Sequence, residues 1–368
     1  MLVLYALVIG VSGSVLVFEP ELQEWLEGEQ AHIAGSAGTP DFEHAIRAIE
    51  KERPGWRASG LEDMNEAGKA PLLFMQSPRR GANYRSVRFN PYTGQVLLDR
   101  ERNSGIIGFF TDLHFYLLSG STGLLVSGWM AIALAVLLVT GLVLWWPGVR
   151  RWAAALVLRR RTSWRRYTWD LHSVIGFWSA LPLLLVTITG IYFAFPNRTR
   201  DIILFLTGGK LTREAPVQQK QHSVLATLSI DEGMAAAQRA LPADAPMGYF
   251  QLPSRPGDPY RATGYWRGSL PYSELVQVAV DSQTGERLAY VDTREQAFGQ
   301  RLIQYFFTLH FGSFGGSGVL QVLIKILWVF VGLVPGVLGM TGLLMYWNRK
   351  LRHLLRPSGM RSGSRQTT

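Results

Sequence analysis

The sequence predicts a membrane protein: a four-helix transmembrane bundle with two α+β modules on its outer side. Three observations carry that prediction. Four stretches, 2–18, 122–146, 174–195 and 319–347, are apolar over about the 20 residues needed to cross a hydrocarbon core. The segments 148–169 and 348–368 contain many Arg and Lys residues and no acidic one. The two long polar segments between the spans repeat one order of helix, strands and a Thr-Gly turn.

In chain order, residues 1–18 read as a first span that looks truncated at its N-terminal side, with no basic n-region and no small-residue cleavage site. Residues 19–106 form the first module. Its helix, Asp41 to Lys51, lines up Phe42, Ala45, Ile46 and Ile49, and strands follow around Pro71–Met75 and Tyr84–Phe89. The turn Asn90-Pro91-Tyr92-Thr93-Gly94 leads into a return strand from Gln95 to Leu98. Residues 107–147 read as an outer helix and the second span, 148–169 as an Arg-rich loop and 170–196 as the third span. The second module, 197–300, repeats the first: a helix Ile230–Leu241, strands near Tyr249, at Tyr260–Trp266 and at Val276–Val280, the turn Asp281–Gly285, and a return strand Arg287–Val291. Residues 301–347 hold an outer segment and the fourth span, and 348–368 a basic tail. Basic loops stay on the cytoplasmic side, so both termini are expected inside and both modules outside.

Composition narrows the chemistry. Lys and Arg total 37 against 27 Asp and Glu, a net charge of +10. Thirteen of those basic residues lie in the loop and tail, so the rest of the chain is slightly acidic. The basicity marks contact with anionic membrane lipid and gives no ground for a nucleic-acid partner. The absence of Cys excludes disulfides, iron–sulfur clusters, thiolate zinc sites and covalent haem attachment. No G-x-G-x-x-G or Walker A sequence marks a flavin, nicotinamide or P-loop site, so electrons for any redox chemistry would come from a membrane quinol or a separate cytoplasmic reductase.

Of the seven histidines, three stand at the ends of apolar spans: His114 in Thr111–Leu117, His172 in Trp169–Gly176 and His310 in Phe307–Gly312. An ionisable residue there is a functional candidate, and imidazole can bind metal or haem, relay protons or hydrogen-bond at the interface. Span direction puts His114 and His310 near the outer face and His172 near the inner face. This arrangement suggests two stacked bis-histidine sites, the inner one lacking a ligand. The missing partner is expected upstream of Met1, 18 residues before Gly13, with His353 the fallback. Gly-rich breaks at 119–123 and 312–318 provide a way for the outer pair to fold back toward the bundle. His32, His44 and His222 read as surface residues.

A second repeat marks the four span exits: Ser12-Gly13, Thr140-Gly141, Thr189-Gly190 and Thr341-Gly342, each followed by an aromatic. Small residues allow close helix contact and aromatics anchor at the interface, which accounts for each copy alone. Asp112 and Asp170 read as N-caps, Lys325 as snorkelling outward or meeting a haem propionate, and Pro182 and Pro335 as kinks. Tyr116, Tyr305, Phe306 and Phe311 either line an outer approach or pack.

The order of spans and modules, with the Asp-Leu-His, Trp-Asp-Leu-His-Ser-Val-Ile-Gly and Leu-His-Phe-Gly segments, resembles the PepSY-associated transmembrane family over nearly the whole chain. The turns at Thr93-Gly94 and Thr284-Gly285 match its PepSY modules. Within that family the chain is similar to bacterial inner-membrane ferrisiderophore reductases. The resemblance implies haem b, in two copies, or one if the N-terminal ligand is absent. It further implies ligation of haem iron by His114, His310 and His172, and reduction of a ferric siderophore at the periplasmic face. The family's usual His-Arg-Trp-Leu-Gly-like opening of the first span is not present. Two other classes stay open: an iron-chelate permease component, and a membrane-anchored PepSY binding or regulatory protein without haem.

Overall fold

The computed structural model describes residues 1–33, 38–66, 68–77, 84–101, 104–159, 162–209 and 226–351. The chain opens with helices α1 (Leu2–Leu16) and α2 (Glu19–Glu27). A first α+β stretch follows: α3 (Phe42–Glu52), β1 (Arg57–Glu62), β2 (Leu72–Gln76), β3 (Tyr84–Phe89) and β4 (Val96–Glu101). The chain then returns to helices α4 (Gly105–Tyr116), α5 (Gly120–Trp145), α6 (Trp152–Ala155), α7 (Trp164–Ala194) and α8 (Pro196–Leu206). The second stretch holds α9 (Ile230–Ala240), β5 (Met247–Gln251), β6 (Tyr260–Tyr265), β7 (Leu275–Val280) and β8 (Arg287–Asp292). Helices α10 (Phe298–His310) and α11 (Val319–Tyr346) complete the described chain.

The two polar stretches share a single antiparallel sheet, ordered β4-β3-β2-β1-β5-β6-β7-β8. Each stretch is a meander, and the two meet where β1 pairs with β5, Leu61 opposite Phe250. The expected turns recur in both copies. Gly94 and Gly285 each have φ of +72° and donate to Asn90 and Asp281, a conformation that glycine adopts without strain. Helices α3 and α9 cover one face of the sheet. Phe42, Ile46 and Ile49 interlock there with Leu61, Val87, Phe89, Phe250 and Val278. The helices also cap each other: the Asp231 carboxylate accepts from the amides of Phe42 and Glu43, and Glu43 accepts from the amide of Ile230. The sheet is tied to α2 by Arg88, buried between Glu27 at 3.0 Å and Asp63 at 2.5 Å.

Helices α5, α7 and α11 are each long and apolar enough to cross a membrane. Helix α1 is only 15 residues, and it reaches that length together with α2, across a 55° bend. The chain is thus a multi-pass membrane protein with a β domain. Close packing sets the bundle. A Cβ at Gly10 of α1 would collide with the carbonyl of Gly332 on α11, and one at Gly128 of α5 would lie 2.6 Å from the Ala194 Cβ on α7.

Three sequence expectations change. Asp112 and Asp170 are not caps: the N-cap residues are Ser104 and Ser163. Helix α7 begins ten residues before the apolar run, because its first turns carry Arg166, which pairs with the buried Asp170 at 2.9 Å along one face. Lys325 does not snorkel into solvent: it is buried, ion-paired with Glu21 and 5.5 Å from the Phe18 ring. Pro182 and Pro335 lie inside continuous helices.

Candidate functional site

Two reversals bring the outer histidines back to the bundle. Helix α4 stops where Leu117 and Leu118 adopt left-handed φ of 48° and 56°, and the chain turns into α5. Helix α10 stops at His310. Trp328 of α11 then clamps that end, its Nε1 donating to the carbonyls of Leu309 at 3.0 Å and His310 at 3.1 Å. Gly312, at φ +65°, passes so close that a Cβ would lie 2.9 Å from the Trp328 ring. As a result His114 and His310, 196 positions apart, face each other with ring centres 6.2 Å apart.

Both rings are held by their Nδ1 atoms. His114 Nδ1 lies 3.0 Å from the Ile9 carbonyl oxygen and 3.1 Å from Ser12 Oγ, both on α1. His310 Nδ1 lies 2.8 Å from Thr189 Oγ1 on α7. A carbonyl oxygen only accepts, so His114 carries its proton on Nδ1 and its Nε2 has a free lone pair. Phe193 packs edge-on against His310 at 5.1 Å, and Phe311 follows at 5.8 Å. The pair opens onto a cavity of about 160 Å³, lined chiefly by apolar groups such as Leu124, Leu134, Val186 and Val331.

His172 lies away from this pair, in the interior of α7. Its Nδ1 is 2.8 Å from Thr341 Oγ1 on α11. It lines a second, larger cavity of about 500 Å³ with Leu138, Gly141, Phe177 and Leu338. The two cavities share Ala6, Leu134, Leu183 and Pro335 as a common wall. Seventeen residues of α7 separate His172 from Thr189, about 25 Å at 1.5 Å per residue, so the sites are stacked along the bundle. His353, His222, Arg160 and Arg161 lie outside the described residues, while His32 and His44 are exposed as expected.

Among the described residues no group of three or more His, Asp or Glu side chains could hold a bare metal ion. Two imidazoles with Nδ1 engaged would suit a group that brings nitrogen ligands of its own, as haem does, and takes the rest from the protein. His114 and His310 would hold such a group at the outer cavity, and His172 would supply one ligand at the other.

From His310 an aromatic path leads outward. Phe311 lies 6.3 Å from Tyr272, which is 46% exposed, and Thr308 of α10 donates to the carbonyl of the adjoining Pro271. In the sheet, burial and the neighbouring Glu62 carboxylate push the Tyr265 hydroxyl up to about 12. Of the aromatics expected at the outer approach, Phe306 is buried against Tyr192 at 5.3 Å. Sequence reasoning missed the roles of Ser12, Thr189 and Thr341. Their repeated Ser/Thr-Gly signature was visible, but nothing local linked it to histidines 102 to 169 positions away.

The family model for the PepSY-associated TM region matches residues 1–349. No curated protein matches the chain.

Proposed function

The chain belongs to the PepSY-associated transmembrane family, and on that premise we propose that it is a haem-binding inner-membrane oxidoreductase that delivers electrons to ferric siderophore iron at the periplasmic face. The observation that carries this reading is the His114–His310 pair, 6.2 Å between ring centres and fixed through Nδ1 from two different helices. Haem b bound between these rings would supply a reversible one-electron iron couple.

The chain's own residues do the rest. Ser12, Ile9 and Thr189 hold the imidazoles so that neither ring has to reorganise. The apolar lining keeps water out and lowers the local dielectric. Stacking of the two cavities gives a path across the membrane, with His172 serving the inner one. Phe311 and Tyr272 extend from the outer pair toward the periplasmic surface, where the sheet and its two α+β halves, read as PepSY modules, meet the substrate. The seven-arginine loop and the basic tail stay on the cytoplasmic side against anionic lipid, which puts both termini inside. Electrons enter from a quinol or a cytoplasmic donor. Reduction to Fe(II) weakens the chelate and releases the metal.

Absorption spectra of the purified protein, oxidised and then dithionite-reduced, test the reading. It predicts a Soret band that shifts on reduction and a sharp α band. Reduced protein should then reoxidise on addition of a ferric siderophore, with Fe(II) trapped by a ferrous chelator. A protein purified without chromophore and unable to take up added haem would contradict it.

A further inference from the structure

Four helices carry one three-part element: a carbonyl, a hydroxyl three residues later, then glycine. The copies are Ile9-Ser12-Gly13 on α1, Leu137-Thr140-Gly141 on α5, Val186-Thr189-Gly190 on α7 and Leu338-Thr341-Gly342 on α11. In every copy the hydroxyl donates to the carbonyl one turn earlier. Ser12 reaches Val8 at 2.8 Å, Thr140 reaches Val136 at 2.7 Å, Thr189 reaches Leu185 at 2.9 Å and Thr341 reaches Val337 at 2.8 Å. A hydroxyl has one proton, so toward any further partner it only accepts.

In three copies that partner is an imidazole Nδ1: His114 on Ser12, His310 on Thr189 and His172 on Thr341. For His114 the carbonyl of the same element accepts as well, Ile9 O at 3.0 Å. At Gly13 the absence of a side chain leaves room for the ring edge, since a Cβ would lie 2.7 Å from the His114 Cε1; at Gly190 and Gly342 a Cβ would make ordinary contact with the ring at 3.7 and 3.8 Å. Acceptors on one side alone fix the Nδ1–H tautomer and turn the Nε2 lone pair toward the cavity.

The partners are exchanged in a regular way. Helix α7 presents His172 and seats His310, whose helix leads into α11; α11 seats His172 in return. Helix α1 seats His114, whose helix leads into α5. The copy on α5 differs: Thr140 is exposed while Ser12, Thr189 and Thr341 are buried, and among the described residues no imidazole meets it.

We infer that on α1, α7 and α11 this Ser/Thr-Gly element is an imidazole seat whose hydroxyl positions each histidine as an Nε2 ligand. The inference deepens the haem reading and shares its site. Ser12, Thr189 and Thr341 are positioning residues, acting on the reacting centre only through a ring they hold. Loss of such an outer partner lowers affinity by about 10- to 100-fold.

Two measurements on the full chain separate this inference from the haem reading. In haem-free protein labelled with ¹⁵N-histidine, NMR reads the tautomers directly. His114, His172 and His310 are expected with the proton on Nδ1, and Thr189→Val and Thr341→Val, which keep volume and lose the acceptor, should each perturb one ring only. A proton on Nε2 in any of the three, or no response to either variant, overturns the seat whether or not haem binds. In haem-loaded protein, Thr189→Val should weaken the outer haem alone by about tenfold or more and Thr341→Val the inner one alone, while Thr140→Val, at the exposed copy, should leave both as in the parent. A loss in Thr140→Val as large as in Thr341→Val, or equal loss of both haems in either seat variant, overturns the assignment.

Discussion

Replacing Gly13 by alanine tests how closely the outer cavity holds His114. A Cβ at Gly13 would lie 2.7 Å from Cε1 and 3.2 Å from Nδ1 of that ring. Non-bonded carbons rest at about 3.5–4.0 Å, so the ring has to retreat by roughly 1 Å. Its Nδ1 bonds to Ile9 and Ser12 are 3.0 and 3.1 Å long, and such a retreat takes both past the useful range of about 3.2 Å. Losing those partners should weaken haem at the outer site by ~10- to 100-fold, equivalent to about 1.4–2.8 kcal/mol. Alanine meanwhile favours the helix by up to about 1 kcal/mol, so a general loss of fold is not the expected cause. Gly342→Ala is the matched control. There the new Cβ sits 3.8 Å from His172, an ordinary contact, and haem should be held as in the parent. The assay follows transfer of haem from each purified variant to a scavenger protein by the Soret band. Equal retention in Gly13→Ala and parent, or equal loss in both variants, would refute the reasoning.

Four further outcomes are expected. Asp231→Ala removes the cap from two amides of α3 and should lower the stability of the β domain by about 1–2 kcal/mol, read from thermal unfolding in detergent. Leu61→Ala opens a cavity at the β1–β5 seam and should cost about 2–5 kcal/mol by the same measurement. Glu21→Gln strands the buried Lys325 ammonium and should destabilise more than Glu21→Gln with Lys325→Met together; equal losses would show the pair to be idle. Burial raises the Asp292 carboxyl, yet bonds from Arg294 and Trp266 outweigh it and hold the group below its usual range. A depressed folded value gives stability that is present above the ordinary carboxylate range and lost as pH falls through it, so Asp292→Asn should be less stable than parent near neutral pH and equal to it in acid.

The spans, the paired Thr-Gly turns and most strands are legible because they rest on local signals, apolar runs and turn residues. Strand β1 is not: Arg57-Ala-Ser-Gly-Leu-Glu62 has no alternation, and its register shifts between Ala58 and Gly60. It becomes a strand only because β2 and β5 pair on either side of it, which also fuses the two modules into one sheet. The start of α7 was hidden for a related reason. Trp164 to Trp169 is too basic to read as a span, yet it continues the same helix through the Arg166–Asp170 pair. The fold-back of His310 was readable from the Gly-rich stretch 312–318, whereas His114 is turned back by left-handed Leu117 and Leu118, and the expected break at 119–123 instead begins α5. Their shared Ser/Thr-Gly seats were not, since a hydrogen bond between positions more than a hundred residues apart leaves no local pattern.

The central claim is that His114 and His310 are two ligands of one outer group and His172 belongs to another. Haem per chain in single and double alanine variants tests it most directly. The account predicts that His114→Ala and His310→Ala each remove the same haem, that the double variant removes no more, and that His172→Ala removes a spectroscopically different one. Additive losses in the double variant, or full haem content in either outer single variant, would contradict it.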